Sequence, residues 1–173
     1  LITKIGKAFG EMERLGLITH NHCRIYGAQA TGCSPITTAL KSNQDFIKPV
    51  KPQTIAKSIS IGNPADGYYA LKTMLESKGW GEDVTDDEIV NGIKVLAEDV
   101  GIFAETAGGV TVAVTQKLIQ QGRIKKNDLT VLSITGNGLK TQEAIKDHLI
   151  KPMVINAKLS EFEKTVGNAQ NVA

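Results

Sequence analysis

The chain has 173 residues, 41% of them apolar and 22% charged, which suits one folded domain with a sizeable core and not a disordered chain. A net charge of +2 gives no argument for nucleic acid or an anionic membrane, and 5% aromatic residues leave no stacking platform for single strands. No apolar run approaches the roughly 20 residues of a membrane span, no signal peptide is visible, and two cysteines are too few for a disulfide framework, so the reading is cytoplasmic.

Ile2, Ile5, Phe9, Met12 and Leu15 recur at three- and four-residue spacing, which predicts a helix with one buried stripe, stopped at Gly16. Leu1 runs straight into that helix with nothing to cap its free N–H groups, so the chain reads as a fragment with sequence missing upstream. His20, His22 and Cys23 lie close together, but a closed zinc site wants four ligands and no second pair follows, so no metal is expected. Arg24 to Ala28 reads as a strand. Ser34 or Thr31 can cap the helix that follows, with Pro35 at its first position. Cys33 reads as a small packing residue because no partnered base is in view.

Two prolines mark residues 45–52 as a surface connection, and Gly62-Asn63-Pro64 is an ordered bend, since a residue before proline avoids the helical region. Asp66 to Lys78 predicts a helix with Tyr69, Leu71, Met74 and Leu75 as candidate buried positions, followed by a turn around Trp80. Thr85-Asp-Asp-Glu88 is a capping-box pattern, and the helix behind it carries Ile89, Ile93, Leu96, Ala97 and Val100 up to Gly101. The helix after Glu105-Thr-Ala-Gly-Gly109 continues through Val112, Val114, Leu118 and Ile119 to Gly122. Glu105 could be a catalytic acid or base, or a solvated charge or cap ahead of that helix.

Thr130 to Ile134 is an apolar, β-branched run without polar alternation, the pattern of a strand buried on both faces. It ends in Gly136-Asn137-Gly138, and a helical pattern with Leu139, Ala144, Ile145 and Leu149 follows. The two glycines allow left-handed backbone or the close approach of a ligand. Strand, glycine-rich turn and helix together form the layout of a ligand crevice at a parallel strand's carboxyl end, with the Thr135 hydroxyl pointing into it. A tight turn without ligand is the plainer alternative. Pro152 breaks the pattern, Leu159, Phe162 and Val166 predict a last short helix, and Gly167 to Ala173 read as frayed. Alternating helices and short strands predict an α/β fold of three layers, a mostly parallel sheet between helices, with about three strands visible. Right-handed connections would bring Gln29, Asn63, Glu105 and Thr135 to one edge.

Four motifs in order carry a family resemblance: Tyr26 to Pro35, Ser60 to Ala65, Glu105 to Gly109 and, above all, Ile134 to Lys140. Over nearly its whole length the chain resembles the C-terminal part of threonine synthases, pyridoxal 5'-phosphate enzymes of the tryptophan-synthase β-like fold (fold type II). The resemblance implies conversion of O-phospho-L-homoserine and water to L-threonine and phosphate. It makes residues 1–150 the C-terminal portion of the cofactor-binding catalytic domain and 151–173 a tail. By the same resemblance Thr135 would hydrogen-bond the cofactor's pyridine nitrogen, Gly136 and Gly138 would keep the backbone clear of its ring, and Gln29, Asn63, Glu105 and Asn137 would line the site. Many relatives have Pro or Ser within the second-last motif, where this chain has Thr106 and Gly108. The Schiff-base lysine and the phosphate loop belong to the family's N-terminal half, so no catalytic residue is assigned here and the chain alone is expected to be inactive. The missing half would be its partner, and an opened sheet edge also favours a homo-oligomer. A serine/threonine dehydratase of the same fold and a non-catalytic α/β binding module are the competing readings.

Overall fold

A computed structural model describes residues 1–169 of the chain. Two short parallel strands, β1 (Gly27–Ala30) and β2 (Gly81–Val84), pair in the register Gly27 with Gly81 to Ala30 with Val84. Helices cover both faces. On one side α1 (Ile2–Arg14), α2 (Pro35–Lys41) and α3 (Gly67–Glu76) enclose Ala39, Leu40, Leu71 and Met74. On the other, α4 (Asp86–Val100) and α5 (Thr106–Gln120) enclose Val84, Ile89, Ile93, Val110, Val114 and Leu118. Trp80 packs against both clusters. This is the three-layer arrangement that the helix–strand alternation predicts. No helix among the described residues is long and apolar enough to cross a membrane.

The helix boundaries follow local chemistry. Thr85 accepts from the Glu88 N–H at 3.3 Å while Glu88 accepts from the Thr85 N–H at 2.7 Å, so the predicted capping box opens α4. Gly101 closes the helix at φ +73°, a region that costs other residues energy. Helices α4 and α5 meet where neither has a side chain: a Cβ on Gly92 would sit 2.4 Å from the Gly109 carbonyl oxygen. That close crossing sets the height at which α5 begins.

Several expectations need correction. Strand β1 lies two to three residues later than Arg24–Ala28. Strand β2 falls where a turn was expected, because Glu82 and Asp83 disguise it. Tyr69 and Leu75 are exposed, since α3 turns Leu71 and Met74 inward instead. Helix α1 forms as predicted but none of its residues is fully buried. The helix expected over 139–149 is three single 3₁₀ turns, Gly138–Lys140, Gln142–Ala144 and Lys146–His148. Most importantly, Thr130–Ile134 forms no strand and pairs with neither β1 nor β2. Leu132 and Ile134 pack beside Leu96, Ala104 and Val112, whereas Leu129 and Val131 are 96% and 85% exposed. One face of the run finds the α4–α5 layer, and without a neighbouring strand the other stays in solvent. In the tail, Leu159–Ala169 forms α6 as predicted; the frayed end expected at Gly167–Ala173 lies, beyond residue 169, outside the described residues.

The two carboxyl groups of β2 meet at one lysine. Lys41 Nζ on α2 stands 2.6 Å from both Glu82 Oε2 and Asp83 Oδ2. Trp80 and Gln121 donate to Glu82 at 3.1 and 3.2 Å, and Thr31 donates to Asp83 at 2.8 Å. Burial opposes ionisation of both carboxyls, yet the hydrogen bonds from Lys41 and the other donors overcome it and hold both below their ordinary values. Both shifts are downward, so the stability they contribute is present above the ordinary carboxylate range and is lost as pH falls through the lowered values. Lys41→Met should destabilise the chain by roughly 2–3 kcal/mol at neutral pH, less than a fully buried pair because the Lys41 side chain is 36% exposed. The deficit should narrow below about pH 4, where protonated carboxyls no longer need the cation. Urea denaturation of both proteins across pH measures it; a deficit independent of pH would refute the assignment.

Candidate functional site

The turn Gly136-Asn137-Gly138 is fastened to the start of α5. The Glu105 N–H donates to the Gly136 carbonyl at 3.0 Å and the Gly138 N–H to the Phe103 carbonyl at 2.9 Å, forming an antiparallel bridge at Ala104 and Asn137. Two hydrogen bonds thus place the end of the extended run beside a helix N-terminus, where negative charge is favoured. Neither glycine has positive φ. Their lack of a side chain answers a close approach within the chain itself: a Cβ on Gly136 would lie 2.0 Å from Glu105 Oε1, and one on Gly138 would lie 2.6 Å from the Phe103 ring.

Glu105 is only 6% exposed and occupies the N-cap position of α5 without a side-chain capping bond. This excludes the solvated-charge alternative. Asn137 turns its Oδ1 back to accept the Leu139 N–H at 2.9 Å, which starts the first 3₁₀ turn. Thr141 comes from the next one and accepts the Thr106 N–H at 3.3 Å, so it caps α5 from a distant segment. Thr135, one residue ahead of the bridge, is exposed and its hydroxyl has no hydrogen-bond partner among the described residues.

Of the residues expected to converge, Glu105 and Thr135-Gly136 are brought together. Gln29 is engaged elsewhere: its Oε1 accepts from the Ile36 and Thr37 N–H groups at 3.0 and 2.9 Å and caps α2, the task foreseen for Ser34 or Thr31. Asn63 is exposed in a bend whose Gly62 pairs with Val50. Cys33 is buried and burial pushes its thiol upward, the wrong direction for a nucleophile.

Sequence reasoning missed Thr106. It is 0% exposed, and its Oγ1 is the buried side-chain polar atom left without a partner among the described residues. Nothing in a Glu-Thr-Ala-Gly-Gly string marks that hydroxyl as orphaned, because its neighbour Thr141 lies 35 residues downstream.

A parallel sheet between helix layers, with a threonine-glycine turn pinned to the N-terminus of α5, defines an α/β domain. Residues 1–136 match the family described as pyridoxal-phosphate dependent enzyme, and the chain belongs to that family. It is 37% identical over 166 residues, 95% of its length, to the threonine synthase of Methanosarcina acetivorans, and 37% identical over 164 residues to that of Methanocaldococcus jannaschii. The chain spans about two fifths of the length of these relatives. Among solved structures, maize serine racemase superposes on 84% of the chain and 44% of its own with a TM-score of 0.54 at 15% identity, a likeness of fold.

Pyridoxal phosphate is the cofactor of this family, and the residues present fit it. The exposed Thr135 hydroxyl, unpartnered among the described residues, stands next to a turn that admits no side chain. Buried and unpartnered, the Thr106 hydroxyl costs free energy. Thr106→Val should therefore raise the stability of the isolated chain by about 1 kcal/mol. Gly136→Ala should lower it by about 1–3 kcal/mol through overpacking, and by less than about 0.5 kcal/mol in a Glu105→Ala background. Thermal or urea unfolding of the four variants checks both statements.

Proposed function

We propose that the chain is the portion of a threonine synthase that builds one wall of the cofactor site, and that the longer enzyme converts O-phospho-L-homoserine and water to L-threonine and phosphate. The observation that carries this reading is the match to curated threonine synthases along almost the whole chain, which includes the Thr135 to Lys140 segment. The geometry supports it through the bridge that fixes Gly136 and Gly138 against residues 103–105.

Bound pyridoxal phosphate supplies an electron sink for negative charge developing on the substrate's carbons. Thr135 would hold the ring nitrogen through a hydroxyl, a neutral partner that does not require a proton to reside there, which moderates that sink. The bridge between 103–105 and 136–138 holds Thr135 in place from the main chain, so its position does not depend on its own side chain. Glu105 and the first turn of α5 present a buried carboxylate and a helix N-terminus behind the turn, while Phe103 excludes water from the far side of Gly138. No lysine of this chain takes the covalent role, and Lys140 belongs to the 3₁₀ turn after the motif.

The test joins this chain to its upstream half and assays threonine and phosphate from O-phospho-L-homoserine. The isolated chain should release no phosphate. In the joined enzyme Thr135→Ala should leave unfolding unchanged and lower cofactor affinity by roughly 3- to 10-fold, the worth of one neutral hydrogen bond, with a shifted absorbance of the bound cofactor. A 2-oxo acid from serine or threonine, and no threonine, would move the protein to the dehydratases.

A further inference from the structure

Helices α1 and α3 lie side by side in one layer. Thr3 meets Asp66, and a Cβ on Gly6 would lie 2.6 Å from Thr73 Cγ2, so the two helices run the same way and approach closely. Between them and residues 21–25 lies a groove of about 740 Å³, a volume in the range of small-molecule sites. Both of its ends are fixed. At one, the Thr3 hydroxyl donates to the Asp66 carboxylate; at the other, the Ile25 N–H donates to the Ser77 hydroxyl at 3.0 Å. None of the lining residues belongs to segments 103–106 or 135–141.

The charge of the groove is one-sided. Helix α1 contributes Lys4 and Lys7, α3 and its end contribute Lys72 and Lys78, and Arg24 comes from the approach to β1. Against these five cations stand two carboxylates, Asp66 and Glu76. The imbalance exceeds the net +2 of the whole chain, so the rest of the surface offsets it. Both carboxylates are already engaged, Asp66 by Thr3 and Glu76 by Lys72 at 3.7 Å. Lys7 meets Glu11 at 3.5 Å in an exposed pair, which is worth little. The ammonium groups of Lys4 and Lys78 have no hydrogen-bond or ion-pair partner among the described residues.

Lys78 is also held in an unfavourable backbone conformation. Helix α3 closes with a Schellman turn, in which the Gly79 N–H donates to the Met74 carbonyl at 2.9 Å and the Lys78 N–H to the Leu75 carbonyl at 3.1 Å. The residue in this turn takes a left-handed conformation, normally given to glycine, and Lys78 takes it at φ +56°. Among the described residues the other non-glycine with positive φ is Asn43, a type that tolerates the region. Glycine comes one place later, at Gly79, where a Cβ would sit 1.8 Å from the Ile25 carbonyl oxygen. A cation near a helix C-terminus gains from the dipole, but the position of Ser77 would provide that without the backbone cost. Strain retained at a residue that lines a cationic groove is accounted for by a ligand.

We propose that this groove binds a small polyanion, a metabolite bearing at least two phosphate groups, held by Lys4, Lys7 and Lys78. Ammonium groups suit phosphate as point charges, whereas carboxylates are matched by the planar fork of arginine. The guanidinium at this groove, Arg24, is committed to Asp128. Several separate ammonium groups call for several anionic groups, and a groove of this volume holds more than a single ion.

Isothermal titration of the 173-residue chain with inorganic pyrophosphate tests this, with inorganic phosphate as the smaller probe. Pyrophosphate should bind one-to-one, at least about ten-fold more tightly than phosphate, and more weakly as salt is raised, because salt screens exposed charges. Lys4→Gln should weaken it by about 5- to 20-fold, the worth of one charge-assisted contact at a partly exposed site, and leave Tm unchanged. Lys78→Gly should weaken it as much and yet raise Tm by about 2–4 °C, since glycine adopts the left-handed cap without strain. Lys94→Gln, which removes the same charge from α4 in the opposite layer, should leave the affinity unchanged. Lower affinity together with higher Tm in Lys78→Gly separates loss of a binding group from loss of fold and supports the proposal. Absence of pyrophosphate binding would overturn it. So would affinity untouched by Lys4→Gln and Lys78→Gly, or reduced equally by Lys94→Gln.

Discussion

The structure depends on keeping one buried and one half-buried carboxylate in adjacent positions of a four-residue strand. Glu82 and Asp83 lie on β2, against one helix layer on either side, and an unpaired charge there would cost more than so short a strand can supply. Lys41 answers both at once from α2, and Lys117 ties the Asp83 carbonyl to Glu88 from α5 at 2.9 and 3.2 Å. Through these two lysines the strand is fastened to a helix on each face. The network thus joins the two apolar clusters, neither of which closes alone, and it holds α5 at the orientation from which the site is built.

The site is a matter of main-chain geometry more than of charged side chains. Two backbone hydrogen bonds fix the Gly-Asn-Gly turn to the residues before α5, and Thr141 returns from a later turn to cap that helix. What reaches outward is modest: the Thr135 hydroxyl, with Glu105 behind it and the Thr106 hydroxyl buried without a partner. Such an arrangement suits a wall that positions a cofactor whose own chemistry does the difficult work. It also explains why single side chains in this chain do not look catalytic.

Much of the fold was legible where local chemistry is sufficient. The capping box at Thr85, the glycine stop at Gly101 and the period of α4 and α5 all reappear, because each involves residues within a turn of one another. Strand β2 was not legible: Glu82 and Asp83 read as a surface turn until Lys41, four decades of residues earlier, stands beside them. Thr130–Ile134 misled in the opposite sense. Its composition is that of a central strand, but a strand needs a neighbour, and composition does not say whether one is present.

By itself the sequence determined the family, through four motifs in order, and the α/β class, through alternating periodicities, and it drew attention to Thr135 to Gly138. Only the tertiary structure decided why those glycines are needed, since Glu105 and Phe103 fill the space that a side chain would take. It also decided that Gln29 caps α2 and that Thr106 has a hydroxyl with nothing to bind. The physical reason is the same in each case. Periodicity and capping act between residues close in the chain, whereas exclusion of a Cβ, pairing of a buried charge and the orphaning of a hydroxyl arise between segments that meet only on folding.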